Sequence, residues 1–216
     1  MKGQLQIVCG ALALSTTLGV ASVASANLYF GPGGAIPDGP GGSVVFTINV
    51  GDVGTVSTFN AITLINLAHT WVGDVKVTLT LPDLTEVSIV DRIGVPTTLS
   101  GDSSNYNGTY KFADSGFTPL ADGNIWTEAT LGGSSYNLRT GTYAASGTGS
   151  GAAINLNALI AGKSISGSWK LTITDSAGFD TGALGSWSLD FSVVPAPGAL
   201  ALLGLAGLGG RRRRVA

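Results

Sequence analysis

A period-two alternation of apolar and polar residues recurs along the middle of the chain, and it restricts that region to β structure. This period places the apolar side chains of each run on one face of a strand. Turn sequences rich in glycine and aspartate separate the runs, and the one helix-like stretch, 154–160, is brief. Many short strands with one buried face each predict an all-β fold, with two antiparallel sheets stacked as a sandwich. The clearest runs are 44–50, 75–81, 169–173 and 187–193.

Residues 1–26 have the features of a signal peptide. Lys2 precedes a mostly apolar run, 5–23, and the small residues 24–26 offer a site for signal peptidase. We therefore expect an exported protein whose mature chain starts at Asn27. The only cysteine of the sequence, at position 9, lies inside this segment, so the mature chain would contain neither a thiol nor a disulfide.

Residues 195–216 combine a short proline motif, an apolar stretch and a cluster of arginines. The uncharged stretch 199–210 approaches the ~20 residues that a membrane-spanning helix needs, and the arginines would stay on the cytoplasmic side. A core helix with a basic end is the alternative. The segment resembles the PEP-CTERM sorting signal, which implies processing by an exosortase-type enzyme and a transient inner-membrane intermediate. The residues that carry the signal are Pro195, Ala196, Pro197, Arg211, Arg212, Arg213 and Arg214.

Between these signals lies one domain-sized body, 44–194, preceded by a segment rich in glycine and proline, 27–43, that is typical of a linker. A second glycine-rich segment, 141–151, is expected to form a flexible loop. The linker and body together hold six basic and thirteen acidic residues, a net charge of −7. This charge disfavours nucleic acid as a partner, because it repels phosphate backbones.

Three stretches of the body resemble the P domain (P/Homo B) of the proprotein convertases. The first, 59–79, contains the sequence His-Thr-Trp-Val-Gly-Asp at 69–74, and the others are 108–114 and 167–189. The resemblance implies a jelly-roll antiparallel β-sandwich over 44–194. In that family the domain usually follows a subtilisin-like protease and stabilises it.

His69 is the only histidine of the sequence, so a Ser-His-Asp site would have to use it. No segment resembles the Gly-x-Ser-x-Gly elbow of serine hydrolases. The counterpart of His69 in P domains is structural, so the resemblance implies a packed, hydrogen-bonded side chain. We therefore expect no catalytic residues and no enzyme activity. A hydrolase that uses an unrecognised site is the alternative.

Three aspartates are candidates for a metal site. Asp74, Asp175 and Asp180 fall at turns beside the strands that resemble the P domain, where carboxylate oxygens could hold Ca²⁺. No Asp-x-Asp-x-Asp-Gly loop is present to fix a complete coordination shell. The alternative, which we favour, is that these carboxylates accept backbone N–H bonds and cap the turns.

Tryptophans are the other candidates, since an exposed indole face can stack on a sugar ring. Trp169 and Trp187 are in phase with the apolar strand positions, so we expect both in the core. Trp126 stands beside Thr127 and Glu128 and is the better candidate for a ligand-binding surface.

These features together favour an exported, non-catalytic protein of the cell surface, outer membrane or extracellular matrix, with a structural or adhesive role. The expected partners are an exosortase-type enzyme, the membrane through the C-terminal segment before processing, and extracellular polysaccharide or a surface protein. The alternative is a P-domain module that binds a glycan or a protease. No cofactor is expected, apart from Ca²⁺ if the aspartates bind it.

Overall fold

The computed structural model describes residues 25–95, 97–133, 136–147, 149 and 151–196. In these residues the fold is all-β, with eleven strands, two short α-helices and one 3₁₀ helix. The elements in chain order are β1 (Ser25–Ile36), β2 (Gly42–Val50), β3 (Gly54–His69), the 3₁₀ helix (Val72–Asp74), β4 (Val75–Thr80), β5 (Glu86–Asp91), β6 (Tyr106–Phe112), α1 (Ile125–Ala129), β7 (Gly141–Tyr143), β8 (Ala145–Ser146), β9 (Ala153–Ile154), α2 (Leu156–Ile160), β10 (Gly167–Asp175) and β11 (Gly182–Pro195).

The strands form two main sheets and a small one. The order is β1-β11-β3-β6-β7 in the five-stranded sheet and β2-β10-β4-β5 in the four-stranded sheet, and β8 pairs with β9. Neighbouring strands are antiparallel except for β6 and β7, which are parallel. Buried side chains from both main sheets form one hydrophobic core. The molecule is therefore a β-sandwich, as the alternation predicted.

The middle strands of the two sheets show how the alternation becomes a core. Trp169 and Ile173 in β10, and Trp187 and Phe191 in β11, are all fully buried. The ring centroids of Trp169 and Phe191 lie 5.4 Å apart, so the two sheets meet through these aromatic side chains. The prediction that both tryptophans belong to the core is confirmed.

Residues 27–43 do not form the linker that the sequence predicted. They form most of β1, an edge strand paired with β11, and the start of β2. Packing explains the glycines: a Cβ on Gly31 would lie 2.2 Å from the Trp187 ring nitrogen, and one on Gly33 would lie 2.1 Å from the Leu184 carbonyl oxygen. An edge strand also tolerates proline, since one of its sides needs no ladder bonds.

The glycine-rich segment 141–151 also differs from its predicted flexible loop. It contains β7, which extends the five-stranded sheet beside β6, and β8. Tyr143 is fully buried, and its hydroxyl donates to the Arg139 carbonyl oxygen at 2.7 Å. These strands are too short to show a periodic pattern. The helix-like stretch 154–160 contains α2, as expected.

Strand pairing fixes which residues lie at each end of the sandwich. Ser25 of β1 pairs with Val193 near the end of β11, and we call this end of the molecule the terminal end. At the opposite end, His69 of β3 pairs with Gly182 at the start of β11, and we call this the loop end. The beginning of β1 and the end of β11 are therefore neighbours.

Most of the predicted export signals lie outside the described residues. The structure describes residues 25–26 of the predicted signal peptide, both in β1, and Pro195 and Ala196 of the predicted sorting segment. Pro197 and the arginines at 211–214 lie outside the described residues. Among the helices described, none has the length and apolar character needed to cross a membrane.

Candidate functional site

Three connections meet at the loop end: the 3₁₀ helix after β3, the loop 92–104 after β5, and the turn 176–181 before β11. The loop 92–104 packs backbone against backbone on the 3₁₀ helix. A Cβ on Gly73 would lie 2.5 Å from a carbonyl oxygen of the loop, and Gly101 has a φ of +68°, which favours glycine. The Gly73 N–H also donates to the Asp102 carbonyl oxygen at 3.0 Å. These contacts hold the loop against the end of the sandwich.

His69 is sealed inside the loop end, with 1% of its surface exposed. Its Nε2 lies 3.3 Å from an Asp175 carboxylate oxygen, and its Nδ1 lies 3.0 Å from the Trp71 carbonyl oxygen and 3.2 Å from the Trp71 backbone nitrogen. With the proton on Nε2, the ring donates to Asp175 and accepts from the Trp71 N–H, and with a proton on Nδ1 it donates to the Trp71 carbonyl oxygen. In either case the partners of both ring nitrogens lie within the fold. The side chain is packed and hydrogen-bonded, as the resemblance implied.

The three candidate aspartates have separate surroundings. Asp175 is fully buried beside His69, and its other oxygen accepts from the Ala177 N–H at 3.2 Å, which caps the turn after β10. Asp180 accepts from the Thr70 hydroxyl at 2.7 Å. Within the described residues, no group of three histidine, cysteine, aspartate or glutamate side chains is arranged to hold a metal ion. The turn-capping alternative has direct support at Asp175.

Asp74 differs from the other two, because one of its oxygens is buried without a hydrogen bond from the described part of the chain. This oxygen lies 3.6 Å from an Arg92 guanidinium nitrogen, and the side chain is 5% exposed. Burial, and then the negative charge of Asp175, raise the pKa of Asp74, while Arg92 opposes the shift. Asp74 and Asp180 line one open cleft of about 400 Å³ beside Trp71.

Trp126 lies in the first turn of α1, where the side-chain oxygen of Asn124 accepts from the Trp126 N–H at 2.9 Å. The indole is partly buried against the core and donates from Nε1 to the Ser146 hydroxyl at 3.3 Å. It also lines an open cleft of about 320 Å³ between α1 and the loop 92–104. We call this space the Trp126 cleft. Its other walls include Ile93, Gly94, Thr97, Asp102, Thr127 and Thr130.

A charge cluster beneath α1, in which Glu128 is buried and Arg139 is exposed, was missed by the sequence reasoning. Glu128 is fully buried and accepts two bonds from the Arg139 guanidinium, at 2.8 and 2.6 Å, and one from the Tyr136 hydroxyl. The Arg139 guanidinium lowers the pKa of Glu128 from its ordinary value. The cluster ties the segment after α1 to the helix that carries Trp126. No local sequence pattern predicts this cluster, because Tyr136 and Arg139 lie 8 and 11 residues after Glu128 in a segment without periodicity.

The strands β10 and β11, which meet the loop end, lie in a part of the sequence that matches a known family. Residues 132–191 match the family model of the proprotein convertase P domain. The match includes β10 and most of β11, so it supports the P-domain resemblance over this part of the body. The stretches 59–79 and 108–114 lie outside the matched residues.

Two solved structures of a serine protease from Aeromonas sobria are similar to this chain. For the complex of the protease with the chaperone ORF2, the TM-score is 0.40 at 16% identity, over 79% of this chain and 28% of that chain. For a second structure of the protease, the TM-score is 0.36 at 17% identity, over 77% and 27% of the two chains. The chain thus spans less than a third of the length of these structures. No curated protein matches the chain.

Proposed function

We propose that this chain is an exported, non-catalytic β-sandwich protein of the cell surface or extracellular matrix, with a structural or adhesive role. In this proposal, residues 1–26 direct export, and an exosortase-type enzyme processes the segment 195–216 after a transient stay in the inner membrane. The sandwich is of the jelly-roll type found in P domains. The family match over 132–191 supports a P-domain-like module, and the two signals rest on the sequence.

The position of β11 is the observation that carries the structural role. β11 leads directly to the predicted sorting segment, and it pairs with β1 on one side and β3 on the other along nearly its whole length. Tension applied through a C-terminal anchor would run along β11 and would have to break two antiparallel hydrogen-bond ladders together. This arrangement suits a module that is held at its C-terminal end.

The geometry of His69 supports a non-catalytic role. A general base must come within hydrogen-bond reach of the proton that it removes. The two ring nitrogens of His69 already face Asp175 and the Trp71 backbone, and the ring is 1% exposed. A hydrolytic activity of the purified chain that disappears on His69→Asn would overturn this part of the proposal.

Cell fractionation tests the surface role. In a bacterial host with an exosortase-type system, we expect the full chain to reach the surface or matrix fraction in a shortened form. Replacing the arginines at 211–214 together by glutamine should leave the chain unshortened, because the positive charges that hold the segment on the cytoplasmic side are lost. Lys111→Gln with Lys170→Gln, two exposed lysines of the sandwich, is the matched control and should change nothing. Identical size and location for all three chains would contradict the proposal.

A module that binds a glycan or a protease is the second candidate, and the Trp126 cleft favours it. The cleft is open, its lining includes an aromatic side chain, and one of its walls belongs to the loop end. An adhesive surface protein needs such a binding site, so this candidate is compatible with the surface role.

A further inference from the structure

The Trp126 cleft has the size of a small-molecule site and a mixed lining. Its volume of about 320 Å³ lies at the lower end of the range of ~300–1,000 Å³ for ligand pockets. Trp126 supplies apolar surface, while Asp102 and the exposed side chains of Thr97 and Thr127 supply polar groups. A few polar groups around an apolar wall are typical of sites that orient a ligand.

This lining complements a sugar ring that carries no charge. A pyranose has an apolar C–H face, which can lie on an indole, and a rim of hydroxyls, which can bond to threonine and carboxylate oxygens. Among the described residues, the lining holds one carboxylate, Asp102, and no basic side chain. The exported part of the chain has six basic and thirteen acidic residues, so its field repels acidic polysaccharides. The charges therefore favour a neutral saccharide.

Close backbone packing and hydrogen bonds hold both walls of the cleft in place. On the loop side, Gly94 has a φ of +87°, and a Cβ there would lie 2.7 Å from the Asp102 backbone nitrogen. On the helix side, the Trp126 Nε1–H donates to Ser146, and Glu128 is tied to Arg139. A site whose walls are already ordered loses less conformational entropy when a ligand binds.

The cleft also lies near the end of the sandwich that is opposite the predicted C-terminal anchor. Its loop wall follows β5, whose last residue, Asp91, pairs with Lys76 beside the loop end. Val193 and Pro195, which lead to the predicted sorting segment, lie at the terminal end. A protein held by that segment would direct the loop end away from the membrane.

We propose that the Trp126 cleft binds one neutral hexopyranose unit of an extracellular polysaccharide, with the sugar ring stacked on the indole of Trp126. Asp102 and Thr127 bond the ring hydroxyls and set the orientation. The inference rests on the proposed adhesive role, because it names the ligand class of that role.

Titration of the full chain with hexasaccharides tests the inference. The probes are cellohexaose, laminarihexaose and mannohexaose as neutral ligands, and hexagalacturonate as the acidic ligand, followed by calorimetry and tryptophan fluorescence. We expect saturable binding of at least one neutral probe, and weaker or no binding of the acidic one. Trp169 and Trp187 are fully buried, so a fluorescence change that persists in Trp71→Phe reports on Trp126.

Three variants locate the binding site. Trp126→Ala should weaken binding at least tenfold, and Trp126→Phe should weaken it less, because a smaller aromatic face remains. Thr127→Lys places a long side chain at the cleft without disturbing the core, and it should also weaken binding at least tenfold. Thr58→Lys, the same change at an exposed position of β3, is the matched control and should bind like the original chain. Thermal melting confirms that each variant is folded.

Three outcomes would overturn the inference: no binding of any neutral probe by the folded chain, preference for hexagalacturonate, or undiminished binding by both Trp126→Ala and Thr127→Lys. The surface role has a separate readout. If the chain fractionates with the surface but binds no neutral hexasaccharide, the saccharide site is wrong and the structural role stands. If the chain binds the sugar but remains inside the cell, the surface role is wrong and the saccharide site stands.

Discussion

The His69–Asp175 pair and the Trp126 cleft both involve the loop end of the sandwich, yet they use their polar groups in opposite ways. His69 and Asp175 are almost fully buried and satisfy each other and nearby backbone groups. The Nε1–H of Trp126 donates to Ser146, and part of the indole ring lines an open cleft. The first arrangement contributes to stability and offers nothing to a ligand, whereas the second leaves surface that can bind one.

The sharpest test of this contrast is Asp175→Ala. The change leaves His69 Nε2 without its partner in a sealed environment, and it removes the acceptor for the Ala177 N–H. We expect a loss of about 2–4 kcal/mol in the free energy of unfolding, measured by urea denaturation, because two donors lose their acceptor at about 1–3 kcal/mol each.

Two controls accompany this change. Asp175→Asn keeps the volume and one acceptor oxygen, so it should cost less than Asp175→Ala. Glu86→Ala removes an exposed carboxylate from β5 and should have an effect within about 0.5 kcal/mol. If Asp175→Ala cost no more than Glu86→Ala, the pair would not be the stabilising element that its geometry indicates.

The next largest effect is expected at the cluster beneath α1. Glu128→Gln preserves size but weakens the charge-assisted bonds from Arg139, and it should cost about 1–3 kcal/mol at neutral pH. A double-mutant cycle with Arg139→Gln isolates the interaction from other effects of each change. Additive losses would contradict the coupling. Because this cluster supports the Trp126 helix, Glu128→Gln should also weaken saccharide binding, while Asp175→Asn should not.

The same cluster predicts a dependence of stability on pH. Arg139 lowers the pKa of Glu128 below its ordinary value of 4.5, so the folded state favours the ionised form. This contribution is complete above pH 4.5 and is lost as the pH falls through the lower folded pKa. The difference in unfolding free energy between the original chain and Glu128→Gln should therefore shrink in acid. A difference that grows in acid would contradict the assignment.

Sequence reasoning succeeded where a local pattern determines the structure. β10 and β11 were predictable because each alternates over several residues, and one face of each is buried. β1 was not, because its glycines at 31 and 33 are set by close contact with β11, more than 150 residues away in the chain. Composition alone cannot distinguish a glycine that gives flexibility from one that permits close packing.

The candidate site divides in the same way. The burial of His69 was anticipated from the resemblance to the P domain, and the partial exposure of Trp126 from the polar residues beside it. The opposite wall of the cleft, which includes Gly94 and Asp102, could not be anticipated. It depends on backbone contacts of the loop 92–104 with the 3₁₀ helix, and no period or motif records such contacts.

A smaller effect on stability, and one of opposite sign, is expected from replacing Asp74 by asparagine. Burial raises the pKa of this carboxyl above its ordinary value of 3.8, so its ionised form is less favourable in the folded protein. The stability that the protonated form provides is complete below pH 3.8 and is lost as the pH rises through the raised folded pKa. Asp74→Asn imitates the protonated form and should stabilise the chain at pH 7 by less than about 1 kcal/mol. Asp180→Asn should give no such gain, and a loss on Asp74→Asn would show that pairing with Arg92 dominates.

The smallest effect on stability is expected from calcium, and it tests whether the three aspartates of the loop end leave room for an ion. We propose that these carboxylates serve the fold: both oxygens of Asp175 have partners and Asp180 accepts from Thr70, so an ion at either would have to replace existing bonds. Asp74 has one oxygen without a hydrogen bond, but a guanidinium nitrogen of Arg92 lies 3.6 Å from it and would repel a cation. The melting temperature of the full chain in about 5 mM CaCl₂ should therefore stay within about 1 °C of its value in chelator. An ion bound at a hundred times its dissociation constant would add about 2.7 kcal/mol and raise the melting temperature by several degrees. A rise of that size that disappears in Asp74→Asn would make the cleft beside Trp71 a calcium site, and the contrast between a sealed and an open region would then no longer describe the loop end.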